Sequence, residues 1–200
     1  MDFTTFFGHG REALSWIAVF LGNPGPRFEN TRHNVGFMVA DFIADKVGVK
    51  INRFKFNSLY AAINLGGKQV LLLKPQTYMN LSGKAVKQAM SYYKIPLDNV
   101  IAVADDIAMP AGKLRIRRSG SSGGHKGLMD IIDKCGGEGF PRIKLGVGSP
   151  PHQDYEMSDW VLSKPEGEDK KAIEDAVSRA ASALEMLIEQ GSDKAMSKFN

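Results

Sequence analysis

Three short polar stretches of this 200-residue chain carry side chains able to do chemistry, and each follows an apolar run. The first holds Asn23 and, ten residues on, Thr31-Arg32-His33-Asn34. The second is Gln76-Thr77-Tyr78-Met79-Asn80, and the third is Asp105-Asp106. A histidine paired with a carboxylate is a general base. The carboxylate accepts one ring N–H, fixes the tautomer and raises the basicity of the other nitrogen. Amides such as Asn23 and Asn80 both donate and accept, so they can hold a carbonyl and a water together. The chemistry suggested is attack of water on an ester or amide, with His33, Asp105 and Asn23 at its centre. Structural roles remain open for each: Asn23 shaping a turn, Asn34 capping a helix, Asp105 capping a turn, His33 as an ordinary loop residue.

Other schemes find no support. There is no G-x-S-x-G elbow, no Walker A pattern and no H-E-x-x-H. His9, His33, His125 and His152 have no zinc-like spacing with Cys135, so no metal is expected. The Gly-rich loop 120–127 lacks the G-x-G-x-x-G form, and no nucleotide cofactor is expected either.

The elements that must position these groups alternate in type. Trp16 to Leu21 reads as a buried strand, stopped by Gly22-Asn23-Pro24-Gly25-Pro26. Apolar residues at 35, 38, 39, 42, 43 and 47 mark a helix over 35–47, beginning beside His33, where the positive dipole end disfavours an imidazolium. Residues 51–57 read as loop or short strand. Leu59 to Leu65 and Gln69 to Lys74 form a hairpin about Gly66-Gly67. Ser82 is a candidate cap for a helix reaching about Lys94. A strand over 99–104 delivers Asp105. Strict alternation marks strands at 113–117 and 140–148, with a helix over 128–135 between them. Residues 149–160 read as loop, Val161-Leu162 as a short strand or packing clip. A long helix, 166–190, ends at Gly191. The sum is one α/β domain over 16–200, a twisted mixed, mostly parallel sheet with helices on both faces, preceded by an extension, 1–15.

Composition sets broader limits. An apolar fraction of 43% and a charged fraction of 24% suit a soluble globular chain, and no apolar stretch is long enough to span a bilayer. The single Cys135 excludes an internal disulfide and fits a reducing, cytoplasmic setting. Net charge is +4. The cations cluster: no acid stands between Asp106 and Asp130, while Lys113, Arg115, Arg117, Arg118 and Lys126 do, with Arg142 and Lys144 able to extend the row. Such a face binds phosphates or, alternatively, is a solvated sheet edge.

Taken in order, G-N-P-G-P-R-F-E-N-T-R-H-N-V-G, Y-M-N-L-S-G-K-A-V, the strand-end D-D, G-G-H-K-G-L-M-D-I-I, R-I-K-L-G-V-G and W-V-L-S-K-P resemble bacterial-type peptidyl-tRNA hydrolase. The resemblance implies a monomeric α/β enzyme whose partner is peptidyl-tRNA, cleaving the ester between peptide and the 3′-terminal ribose without metal or cofactor. It implies that His33 activates water, Asp105 holds His33 in its basic form, and Asn23 senses the acylated amine. Asn80, Tyr78 and Met79 would position the substrate, Phe28 would meet the tRNA end, and Arg117 and Lys144 would contact phosphate. Arg115, on the same cationic strand face, joins the phosphate contacts, and Lys126 is a further substrate-binding candidate, orienting water or peptide in its own way or binding phosphate instead. This chain departs from the family pattern where Lys126 replaces the usual Asn of G-G-H-N-G, where Ala104 and Ala108 replace a His and an acid, and where Phe28 replaces Tyr. A non-catalytic RNA-binding relative on the same fold is the alternative.

Overall fold

The computed structural model describes residues 13–152 and 154–200. Its strands are β1 (Trp16–Phe20), β2 (Arg53–Lys55), β3 (Ser58–Leu65), β4 (Lys68–Pro75), β5 (Val100–Asp106), β6 (Leu114–Arg117) and β7 (Arg142–Gly146). The helices are α1 (Val35–Lys46), α2 (Ser82–Tyr93), α3 (Lys126–Cys135), α4 (Met157–Leu162), α5 (Gly167–Gln190) and α6 (Ser192–Phe199). The strands make a single sheet of order β2-β3-β4-β1-β5-β7-β6. β1 lies at its centre, parallel to β4 and β5, and β5 is parallel to β7. The hairpin partners β2 and β3, with β6 on the far edge, supply the antiparallel pairs. Three strands expected to deliver polar groups, β4, β1 and β5, are therefore immediate neighbours with their carboxyl ends aligned.

Alternation along the buried strands divides the core. Ala18 and Phe20 of β1 join Ile101 and Val103 of β5 on one face, against the apolar stripes of α1 and α5. Ile17, Val19 and Leu21 join Leu71, Leu73, Ala102 and Ala104 on the other, under α2 and α3. Central strands covered on both sides must be apolar throughout, as Val70 to Leu73 and Val100 to Ala104 are. Two glycines set the closest approaches. A Cβ on Gly36 would lie 2.4 Å from the Leu21 carbonyl oxygen, so its absence lets α1 start directly on the end of β1. A Cβ on Gly83 would lie 2.1 Å from the Asp130 carbonyl oxygen, where α2 crosses α3.

Several local expectations need correction. Ser82 does not cap α2: its hydroxyl is buried and donates to the Met79 carbonyl at 2.8 Å, because a 3-10 turn (Met79–Leu81) leads straight into the helix. The side chain of Asp130 reaches across from α3 to accept the Gly83 N–H at 2.7 Å instead. Residues 157–162 are helix, α4, rather than loop followed by a short strand or packing clip. Its six residues are too few to show a period, and none is buried. Gly191, at φ 84°, ends α5 at Gln190 as expected, but a further short helix not expected from the sequence, α6, follows it. Asn200, at the end of α6, donates its side-chain amide to the Ile116 carbonyl at 3.2 Å and accepts the Ile116 N–H at 2.6 Å, closing part of the β6 edge. The extension expected over 1–15 lies mostly outside the described residues, but Ser15 already donates its N–H to the Gln69 carbonyl at 3.0 Å and so belongs with the sheet.

Replacing Gly36 with Ala should destabilise the chain by about 2 kcal/mol or more, because backbone atoms, unlike a flexible side chain, cannot step aside. Urea denaturation measures this; a loss within about 0.5 kcal/mol, the range of an ordinary surface change, would mean that α1 can lift off β1.

Candidate active site

Asp105 is the penultimate residue of β5 and is only 4% exposed. A carboxylate so placed needs donors to replace water. Two imidazoles supply them, both to the same oxygen. His33 Nδ1 lies 2.7 Å from Asp105 Oδ1, and His125 Nε2 lies 2.9 Å from it. His33 comes from the 3-10 turn (Arg32–Asn34) that feeds α1, and His125 from the head of α3. Burial pushes the Asp105 carboxyl up. The electrostatic attraction of His33 and then of His125, with the hydrogen bonds both rings make to the carboxylate, outweighs this and holds it well below the usual carboxylate range.

The network also assigns tautomers. His125 Nδ1 caps α3, accepting the N–H groups of Gly127 at 3.2 Å and Leu128 at 3.3 Å. A nitrogen that accepts two backbone donors carries no proton, so the ring proton of His125 sits on Nε2 and points at Asp105. His33 meets the ionised Asp105 through Nδ1, so in the neutral imidazole the proton sits there and Nε2 carries the lone pair. The ligand-type atoms of His33, Asp105 and His125 lie within 4.8 Å of one another, the one such grouping of three among the described residues. Their hydrogen bonds account for that proximity without an ion. Sequence reasoning examined His125 only for zinc spacing and so missed it. Its available signal was position: a histidine directly before an apolar helix is a candidate cap.

Around this cluster lies a cleft of about 650 Å³. Asn23, His33, Tyr78, Met79, Asn80, Asp105, Lys126 and Lys144 all line it, so most of the expected site residues share one cavity. Asn23 is held from three sides. Its backbone N–H donates to Asn34 Oδ1 at 2.8 Å, and its carbonyl accepts from Asn34 Nδ2 at 2.9 Å. Its own Oδ1 accepts the Met79 N–H at 2.8 Å. That last bond fixes the amide orientation and turns Nδ2, a donor, to the remaining direction. Asn34 is thus a clasp on the β1 turn rather than a helix cap. Tyr78 and Asn80 are exposed on the cleft wall, while Met79 is buried beneath them.

Opposite, Lys144 of β7 pairs with Asp106 at 3.0 Å, and Asp106 also accepts the Ala108 N–H at 2.9 Å. Arg115 stands in register beside Lys144, and Arg117, exposed, lies two residues further along the edge. Neither arginine lines the cleft. Arg142 does not extend the cationic row: it is 1% exposed, and its guanidinium donates to the carbonyls of Gly120, Ser121, Glu138 and Phe140. It anchors the Gly/Ser loop. Phe28 is also placed apart, buried with the Arg27 guanidinium 4.4 Å from its ring centre and outside the cleft lining. The last wall is α4, through Met157, Ser158, Val161 and Leu162. It is pinned from behind by Arg32, whose guanidinium lies 3.9 Å from the Trp160 ring centre and pairs with Asp169 at 3.0 Å.

A fixed histidine–carboxylate pair, in a crevice at the carboxyl ends of parallel strands, is an arrangement suited to general-base chemistry in an α/β enzyme. Comparison with known proteins makes this more specific. The family model for peptidyl-tRNA hydrolase matches residues 17–200, and the chain belongs to that family. A peptidyl-tRNA hydrolase of Caldanaerobacter subterraneus subsp. tengcongensis is 50% identical over 185 residues, covering 92% of this chain and 99% of that one. One from Clostridium novyi is 44% identical over 185 residues, covering 92% and 97%. The crystal structure of peptidyl-tRNA hydrolase from Acinetobacter baumannii superposes with a TM-score of 0.87 at 33% identity, covering 96% of this chain and 97% of that one.

Folding lowers the Asp105 pKa, so the stability it contributes is complete above the ordinary carboxylate value of about 3.9 and is lost as pH falls below it. Asp105→Asn should therefore flatten the decline in urea midpoint that sets in below about pH 4. An unaltered decline would assign that acid sensitivity to other carboxylates.

Proposed function

We infer that this chain hydrolyses the ester that joins peptide to tRNA in peptidyl-tRNA, releasing free tRNA and peptide. The observation that carries the reading is the His33–Asp105 pair, which uses Nδ1 of His33 and leaves Nε2 without a protein partner among the described residues, in a cleft that Asn23 also lines. His33 Nε2 takes a proton from water as the water attacks the ester carbonyl. Asp105 stabilises the imidazolium that forms, and His33 then gives the proton to the leaving ribose oxygen. His125 keeps Asp105 ionised and aimed. Since Asn23 Oδ1 is occupied by Met79, its Nδ2 offers only donors. That suits a carbonyl of the acylated substrate and disfavours a free ammonium, itself only a donor.

Tyr78, Met79 and Asn80 form the wall on which the ester end lies. Lys144 and Arg115, with Arg117 further out, form a ledge for tRNA phosphates. Phe28, being buried, acts by supporting the β1 turn rather than by meeting tRNA. The cleft is complete within one chain, which supports action as a monomer. No helix among the described residues is long and apolar enough to cross a membrane. The substrate and the reducing setting implied by a free, half-buried thiol favour the cytoplasm. A non-catalytic RNA-binding role is not favoured, since a bare binder would have no use for the buried pair.

Release of peptide from N-blocked aminoacyl-tRNA tests the reading. His33→Ala should lower kcat by roughly 10²- to 10⁴-fold while tRNA still binds. Tight binding without release by the parent chain would overturn the enzyme. Arg117→Ala should weaken tRNA binding and reduce the slope of log affinity against log salt by about one unit or less. A minimal nucleoside ester should be hydrolysed by this variant as before, and equal losses on both substrates would remove Arg117 from the ledge.

A further inference from the structure

The two lysines of the cleft differ in one respect. Lys144 already has one acidic partner, Asp106 at 3.0 Å. Lys126 is exposed, and no acidic side chain among the described residues pairs with it. Asp105, close by in the same cavity, already serves two imidazoles. Lys126 is also the first residue of α3, where the helix dipole opposes a cation, and local stability gives no reason for a lysine there. His125, immediately before it, is locked by the cap and by Asp105, so the backbone that carries Lys126 is held rigidly beside the catalytic pair.

A cation kept uncompensated within a substrate cleft is satisfied when an anion arrives with the substrate. Building on the hydrolase reading above, we propose that Lys126 is a specificity residue that binds the phosphodiester on the 5′ side of the terminal ribose. That phosphate is the anion chemically closest to the ester, one ribose away. A lysine is suited to it as a point charge on a flexible stem, able to follow the phosphate as the ester settles against His33. The contact lets the site distinguish an ester on a nucleic-acid end from an ester on any other alcohol. It is separate from the ledge of Lys144, Arg115 and Arg117, which would meet phosphates further from the ester.

The test compares two small substrates, an N-acetyl-aminoacyl ester of adenosine and the same ester of the dinucleotide cytidylyl-adenosine. They differ by one nucleoside and one phosphodiester. The parent chain should show a KM roughly ten-fold lower for the dinucleotide. Lys126→Ala and Lys126→Gln should erase most of that difference and leave kcat on both esters near the parent value. Lys126→Arg should restore the difference. The melting temperature of Lys126→Gln should match or exceed that of the parent, because a cation is removed from the head of α3. On full peptidyl-tRNA, the log KM against log salt slope should fall by about 0.7 in Lys126→Gln. A fall in kcat shared equally by both esters would overturn the proposal in favour of a role at the developing oxyanion. An undiminished preference for the dinucleotide in the variants would overturn it outright. Failure of the parent chain to cleave peptidyl-tRNA at all would instead overturn the hydrolase reading.

Discussion

One carboxylate oxygen shared by two imidazoles is the constraint to which the rest of this structure answers. An ion buried as deeply as Asp105 is unfavourable by several kcal/mol unless its lone pairs are met by donors. The two donors come from chain segments far apart in sequence, a turn before α1 and the head of α3. Both helices must therefore start at fixed points above the ends of β1 and β5. Gly36 allows the first placement by removing a side chain where α1 touches strand backbone. The second is fixed by His125, which joins the helix cap to the carboxylate through opposite sides of one ring.

That double use of His125 bears on chemistry as well as on architecture. Were its Nδ1 to gain a proton, two backbone N–H groups at 3.2 and 3.3 Å would face a third donor. Both ring nitrogens of His125 are thus committed to partners, and of the two histidines only His33 keeps a nitrogen without one among the described residues. The same logic of committing one end of a group to the scaffold recurs in Asn23, whose Oδ1 is given to the Met79 N–H. In both residues a backbone hydrogen bond decides what the remaining atom offers to a substrate.

Much of this was legible in the residues. The continuous apolar runs of β1, β4 and β5 announced central strands, and the glycines and prolines after β1 announced the turn that presents Asn23. Chemistry at strand ends followed, since a polar group directly after a buried strand has few other places to lie. What escaped the sequence depended on contacts between distant segments. His125 is one histidine among four until β5 and α3 are seen side by side. Arg142 alternates with Ile143 like any surface cation, and only the overlying loop, with its inward carbonyls, makes it a buried anchor. Phe28 sits in a polar stretch whose neighbours gave no sign of its burial. The short helices α4 and α6 have too few turns for a period, and each is tied down by a distant contact, the Trp160 indole N–H donated to the Gly148 carbonyl in one and buried Ala195 in the other.

The placement of β1 has a further consequence, for the order in which the molecule assembles. Its flanking partners are both distant along the chain: Trp16 faces Val70 on one side and Ile17 faces Val100 on the other. The hairpin of β3 and β4 closes locally through a two-glycine turn, and such pairs form in microseconds, but the middle of the sheet must await long-range loop closure. An early folding species would hold the hairpin and nascent helices while its most apolar strand stayed uncovered, prone to non-native association. The His33–Asp105 pair spans that same long-range seam, so its geometry depends on the β1–β5 pairing being in place.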